Sequence, residues 1–184
     1  MSHIAPTPSS PPSPQDSDAG LAARAAGGDA QAFALIMRRD GANDVRILNT
    51  ALGAELEAVA AYQVSAESKL LDKPVLDLAT TFQGHHKQHA DLLAATITKL
   101  GGKPVVAKAT YDFPTEQLKS QADVLRFAAK LEQGAVSAYL GAVPLFQERD
   151  LSKAAASILS GEAMHWAVLR QAVGEAPVPG AFVS

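Results

Sequence analysis

Glu162 and His165 stand three residues apart, and so do His86 and His89. On a helix, residues i and i+3 share one face, so each pair would aim its lone pairs in one direction. Two further acids, Glu55 and Glu132, are each followed seven residues later by a tyrosine, Tyr62 and Tyr139. Carboxylates and imidazoles converging on one point are the donors that hard and borderline divalent cations take. Buried without partners, the same groups are costly. The chemistry on offer is therefore metal binding, or else a closed hydrogen-bonded network of Glu, His and Tyr.

The elements that must position these residues are helices. Leu151, Ala155, Ile158, Glu162, His165, Leu169 and Ala172 follow one another in steps of four and three, the spacing of a buried bundle stripe. Three more stripes have the same form: Leu48–Leu52–Glu55–Val59–Tyr62–Ala66, Val75–Leu78–Phe82–His86–His89–Leu93–Thr96–Leu100, and Leu125–Ala129–Glu132–Val136–Tyr139–Val143. In each, polar groups occupy positions that should be apolar. Glu55 lies 34 residues before His89, and Glu132 lies 33 before His165. The chain thus reads as two helical hairpins in repeat, each giving one acid from its first helix and one pair from its second.

The rest of the chain fits one all-α domain flanked by tails. Its 184 residues can bury a sizeable core, and 47% of them are apolar. A formal charge of −3 leaves no basic footprint for nucleic acid, and no apolar run approaches the ~20 residues of a membrane helix. The lack of cysteine excludes disulfides and thiolate metal sites. Residues 1–20 are rich in Pro and Ser and read as a disordered tail, with His3 solvated. No basic start followed by an apolar segment marks a leader, which favours the cytoplasm.

Asp29 is placed to cap a short helix within 21–42. Gly41-Ala42-Asn43-Asp44 reads as a turn opening the first long helix, to about Leu70, and the bundle as 43–175. Asp72-Lys73-Pro74 starts the second helix and Gly101-Gly102 stops it. The connection over 101–119 is long enough to cross the bundle, Ser120 caps the third helix and Pro144 ends it. A fourth helix from about Asp150 stops at Gly174, and 176–184 is an extended tail.

One Glu from each of two helices, with a Glu-x-x-His pair from each of the other two, is the pattern of carboxylate-bridged dimetal bundles, and Glu55, Glu132 and Glu162-x-x-His165 follow it. From about 44 to 180 the chain resembles the ferritin-like superfamily. It looks most like bacterial ferritin-like domain proteins related to desiccation-associated proteins, including the segments Tyr111-Asp112-Phe113-Pro114 and Pro177-Val178-Pro179-Gly180-Ala181-Phe182. That resemblance implies a four-helix bundle with one long crossover. It implies two divalent ions, iron before manganese or zinc, with Glu55 and Glu132 as terminal ligands. His89 and His165 would be the imidazole ligands and Glu162 a bridging carboxylate. Tyr62 and Tyr139 would orient ligands from behind. It further implies ferroxidase-like chemistry with dioxygen or peroxide, or metal sequestration under stress, and a homodimer. Proteins of this type are often exported, which makes the periplasm the alternative compartment.

One position departs from the family pattern. His86 stands where a second bridging glutamate would be, and a neutral imidazole offers one lone pair where a carboxylate offers two oxygens. The set is then three carboxylates and three imidazoles, which moves it toward zinc or a single occupied position. His86 reads equally as ligand or as a hydrogen-bonding neighbour. His85, four residues before His89, competes for the register but reads as a supporting residue. Trp166 and Met164 lie off the stripe and read as packing residues; Glu57, Glu67 and Asp91 read as solvated. The alternative function is a non-enzymatic stress or scaffold protein with a degenerate or zinc-occupied site.

Overall fold

The computed structural model describes residues 17–182. The predicted tail therefore lies almost wholly outside the described residues, His3 included. The chain divides into two compact units, Met1–Ala42 and Asn43–Ser184. In the first, Ser17 caps α1 (Asp18–Ala26) by accepting the Gly20 N–H, so helix begins inside the stretch expected to be tail. Arg24 pairs with Asp29 at 2.8 Å and Arg39 with Asp18 at 3.0 Å. Asp29 caps the next helix by accepting the N–H groups of Gln31 and Ala32.

That next helix corrects a boundary. α2 runs unbroken from Ala30 to Glu67, so 21–42 is not one short helix and Gly41–Asp44 is not a turn. A helix-interior Gly costs about 1 kcal/mol against Ala, an amount tertiary context overrides. Asp44 does not cap its own helix. Its buried carboxylate accepts the Gln147 N–H, holding the segment that leads into the last helix.

The remaining helices of the second unit are α3 (Lys73–Lys99), α4 (Gln121–Ala142) and α5 (Arg149–Ala172). Asp72 caps α3 through the Val75 N–H, with Pro74 in the first turn, and Ser120 caps α4 through the Asp123 N–H. Pro144 ends α4 in a short 3-10 turn, Val143–Leu145. Among the described residues there is no strand, and no helix is long and apolar enough to cross a membrane.

Side-chain bonds fix the directions. His86 meets Glu55, and Gln83 bonds Gln63 and the Val59 carbonyl, so α3 runs against α2. Tyr139 bonds Glu55 and Tyr62 bonds Glu132, so α4 also runs against α2. Hence α3 and α4 are parallel, as a long crossover permits. Asn49 ties that crossover down, donating to the Lys103 carbonyl and accepting the Val105 N–H. Gly102 lets it pass, since a Cβ there would lie 2.6 Å from Val45 Cγ1.

Two apolar clusters fill the bundle. One contains Leu48, Leu52, Leu93, Ile97, Phe146 and Ile158; the other contains Phe82, Leu125, Trp166 and Leu169. The stripe of α3 leaves the sequence expectation near its end. Ile97 is buried, while Leu100 is 39% exposed, because the helix stops at Lys99 and Leu100 only caps it. Trp166 packs in the core as expected, but Met164 is 64% exposed and lies outside both core clusters.

Candidate metal centre

Between the two apolar clusters the bundle core turns polar. Glu55 from α2, His86 from α3, Glu132 from α4, and Glu162 and His165 from α5 are all buried, and His89 from α3 is nearly so. Each arrives on the stripe position that the spacing assigned to it. Together they make two overlapping groups of four, Glu55–His86–His89–Glu162 and His86–Glu132–Glu162–His165, with ligand atoms within 4.8 Å of one another. Glu162 and His86 belong to both groups. The repeat read from sequence is therefore a repeat in space: Glu55/His89 and Glu132/His165 flank a shared pair.

Glu162 turns one oxygen to each half, Oε1 lying 3.0 Å from His89 Nδ1 and Oε2 3.6 Å from His165 Nδ1. His86 does the same with its ring. Its Nδ1 is 2.7 Å from Glu55 Oε2 and its Nε2 is 3.2 Å from Glu132 Oε1. So His86 occupies the place of a bridging group and faces both halves, and the one-lone-pair description from sequence undercounts its contacts. Tyr139 donates to Glu55 and Tyr62 to Glu132. The tyrosines were legible as Glu–Tyr pairs along one helix, but each bonds the carboxylate of the opposite hairpin.

His85 does not compete with His86 for the centre. Its Nδ1 lies 2.8 Å from His165 Nε2, the ring nitrogen turned away from the carboxylates, so a hydrogen bond between the rings leaves His165 Nδ1 facing inward. Phe82 stacks on His165 with ring centroids 4.0 Å apart, and its ring lies 6.2 Å from that of His85. The i, i+3 relation of Phe82 and His85 is the only trace of this support in the sequence.

Five buried side-chain atoms among the described residues lack a hydrogen-bond partner: His89 Nδ1, Glu132 Oε2, both oxygens of Glu162, and His165 Nδ1. All five belong to this cluster. The 3.0 Å approach of His89 to Glu162 is close but not aligned as a hydrogen bond. A buried polar atom left unbonded costs about 1–3 kcal/mol. Five converging on one place, three of them carboxylate oxygens and two imidazole nitrogens, suit a divalent cation of hard or borderline character.

Protons are the competitor for the same lone pairs. Burial lowers His86, yet the hydrogen bonds to Glu132 and Glu55 outweigh it and hold the ring up to about 10. Burial likewise opposes His89, and Glu162 and Glu55 bring it to about 9. His165 is raised against burial by Glu132 and Glu162. Burial raises Glu55, but His86 and His89 more than reverse it; Glu132 is likewise held below the carboxylate range by His165 and His86 against its burial. Burial, helped by the neighbouring carboxylates, pushes both tyrosine hydroxyls up, so they stay protonated donors. Burial and then His165 pull His85 down, which suits a neutral partner.

Protonated imidazoles can thus offset the outer carboxylates without metal, and a pH profile follows. His86 and His89 hold protons that the unfolded chain releases near 6.5, so their contribution is full below 6.5 and is lost as pH rises through about 9 and about 10. Glu55 and Glu132 contribute above 4.5, and that contribution is lost as pH falls below it. Metal-free protein is expected to melt highest between these limits and to lose stability steadily toward alkaline pH. Thermal melts in chelator from about pH 4 to 10 check this, and a profile level across the alkaline arm would contradict it.

Comparison with known proteins agrees with this architecture. No curated protein matches the chain. A conserved hypothetical protein of Mycobacterium tuberculosis, Rv2844, is similar in structure, with 24% identity and a TM-score of 0.67 over 78% of this chain and 99% of that one. A dodecameric thioferritin, the bacterioferritin-related protein of Bacteroides fragilis, has 23% identity and a TM-score of 0.64 over 73% of this chain and 86% of its own. A ferritin-like diiron-carboxylate protein of Bacillus anthracis has 18% identity and a TM-score of 0.64 over 73% and 97%. At these identities the likeness is one of fold. The family model described as ferritin-like domain matches residues 43–175, and with that match the chain belongs to the ferritin-like family.

Proposed function

We propose that the protein binds two divalent metal ions side by side in the bundle core, and that its working metal is iron. Glu55 and His89 would hold one ion, Glu132 and His165 the other. Glu162 would span them with one oxygen toward each half, and His86 would stand opposite it. The observation that carries this reading is the convergence of all five unpartnered buried atoms on one cluster. A ferrous pair there would supply two electrons to dioxygen or peroxide, which makes iron oxidation or sequestration under stress the activity that suits the centre. Tyr62 and Tyr139 fix the outer carboxylates by donating to them, and the His85–His165 contact fixes which nitrogen of His165 faces inward. A homodimer is the assembly proposed.

The charge balance of three imidazoles against three carboxylates favours a second reading, a metal-free or zinc-holding structural network in a scaffold protein. Ferrous oxidation in air separates the two. Wild-type protein is expected to oxidise ferrous iron faster than protein-free buffer, with a Glu132→Ala/His165→Ala variant at the buffer rate. A wild-type rate equal to buffer would end the oxidase reading.

A further inference from the structure

A cleft of about 720 Å³ runs between α2 and α4, within the ~300–1,000 Å³ span of small-molecule sites. Its walls are small side chains of both helices, Ala51, Ala54 and Ala58 facing Gly134, Ala138 and Gly141. From Arg46 to Ala58 the α2 wall is about 18 Å long at ~1.5 Å per residue. The cleft is therefore long. Glu55, His86, Glu132 and Tyr139 also line it, so it reaches the polar cluster. Glu132, 1% exposed, marks the place where the cleft floor meets that cluster.

The charges along the cleft are unequal. Arg46 and Lys130 line it, on different helices and toward opposite ends. The Lys130 end lies near Glu132, and Glu57 also lines the cleft. The Arg46 end, beside Ile47, Thr50 and Leu145, has no acid in its lining. Arg46 donates to Asn43 Oδ1 at 2.8 Å and makes no ion pair among the described residues, leaving its charge for a ligand.

We propose that this cleft binds a long-chain fatty acid, its carboxylate at Arg46 and its hydrocarbon along the Ala/Gly walls toward the polar cluster. This deepens the metal-centre reading by giving the centre an organic ligand beside it; binding itself needs only the cleft.

The test is calorimetric titration of palmitate into the full-length protein, metal-loaded and metal-free, with hexadecanol as the head-group control. A Cβ at Gly134 or Gly141 meets nothing within 4 Å. Gly134→Leu and Gly141→Leu therefore start a side chain in open space at the cleft wall, and leucine is the better helix former. Wild type is expected to bind one palmitate per chain and hexadecanol more weakly. Either leucine variant is expected to weaken palmitate at least about tenfold, roughly 1.4 kcal/mol, with metal content unchanged. Arg46→Gln should remove the preference for palmitate over hexadecanol. Absence of palmitate binding, or binding unchanged in both leucine variants, overturns the proposal. So does a wild-type dimer that Gly134→Leu converts to monomer without palmitate binding, since the occupant is then a second copy. Metal content read on the same samples keeps the two readings apart: protein that binds palmitate but takes up no metal when metal is offered leaves the cleft standing and removes the dimetal centre.

Discussion

Replacing His86 by glutamate is expected to make the fold depend on metal. His86 lies 2.7 Å from Glu55 and 3.2 Å from Glu132, buried between the two hairpins. As an imidazolium it answers both carboxylates. Glutamate in its place removes that cation and adds a fourth anion to Glu55, Glu132 and Glu162. Breaking a buried pair so that one charge stands uncompensated costs about 3–5 kcal/mol. At roughly 2–4 °C per kcal/mol for a chain of this size, the metal-free variant should melt about 6–20 °C below wild type. Two divalent ions would restore the balance, so added ferrous or manganous ion should raise the variant's melting temperature more than it raises wild type's. Thermal melts with chelator and with metal measure both effects. A variant that melts low and is not rescued by metal would assign the cluster to a structural network.

Glu162→Gln carries the second large effect. Glu162 is fully buried, and neither of its oxygens has a hydrogen-bond partner, yet it faces both His89 and His165. The amide keeps the volume and removes the charge and one acceptor. Loss of an outer partner of a metal ligand costs about 10–100-fold in affinity, and loss of a shared carboxylate should cost more. Uptake is expected to fall from two ions per chain to one or none, measured by titration with manganese. Two ions bound with wild-type affinity would exclude a bridging role for Glu162.

Most of this site was legible in sequence because its signals are local. Glu162 with His165, and His86 with His89, sit at helical spacing on stripes otherwise apolar, and the same arrangement recurs in two hairpins. Burial then follows from periodicity alone. What spacing does not carry is the partner across the core. Tyr62 lies on the helix of Glu55 but bonds Glu132, and Tyr139 lies on the helix of Glu132 but bonds Glu55. Only the packing of the hairpins against each other decides that exchange. His85 and His86 show the same limit: adjacent residues differ by about 100° around the helix, and it is His86 that meets Glu55 of α2 and Glu132 of α4, while His85 meets His165 of α5.

The helix boundary at 41–44 shows a related limit. Gly, Asn and Asp are turn residues locally, yet the helix runs through them, and Asp44 spends its carboxylate on the Gln147 N–H, 103 residues away in sequence, instead of on a cap. The cleft between α2 and α4 also left a trace, alanines and glycines at helical spacing on both walls. Small residues alone do not tell close packing from open space.

Metal content per chain tests the central claim most directly. Untagged protein grown without metal supplementation would be measured by elemental analysis beside the Glu132→Ala/His165→Ala variant. Two divalent ions per chain in wild type, lost in the variant, is the predicted result. No metal, or a content that the two substitutions leave unchanged, would contradict a dimetal centre and leave Glu55, His86, Glu132 and Glu162 as a proton-balanced core.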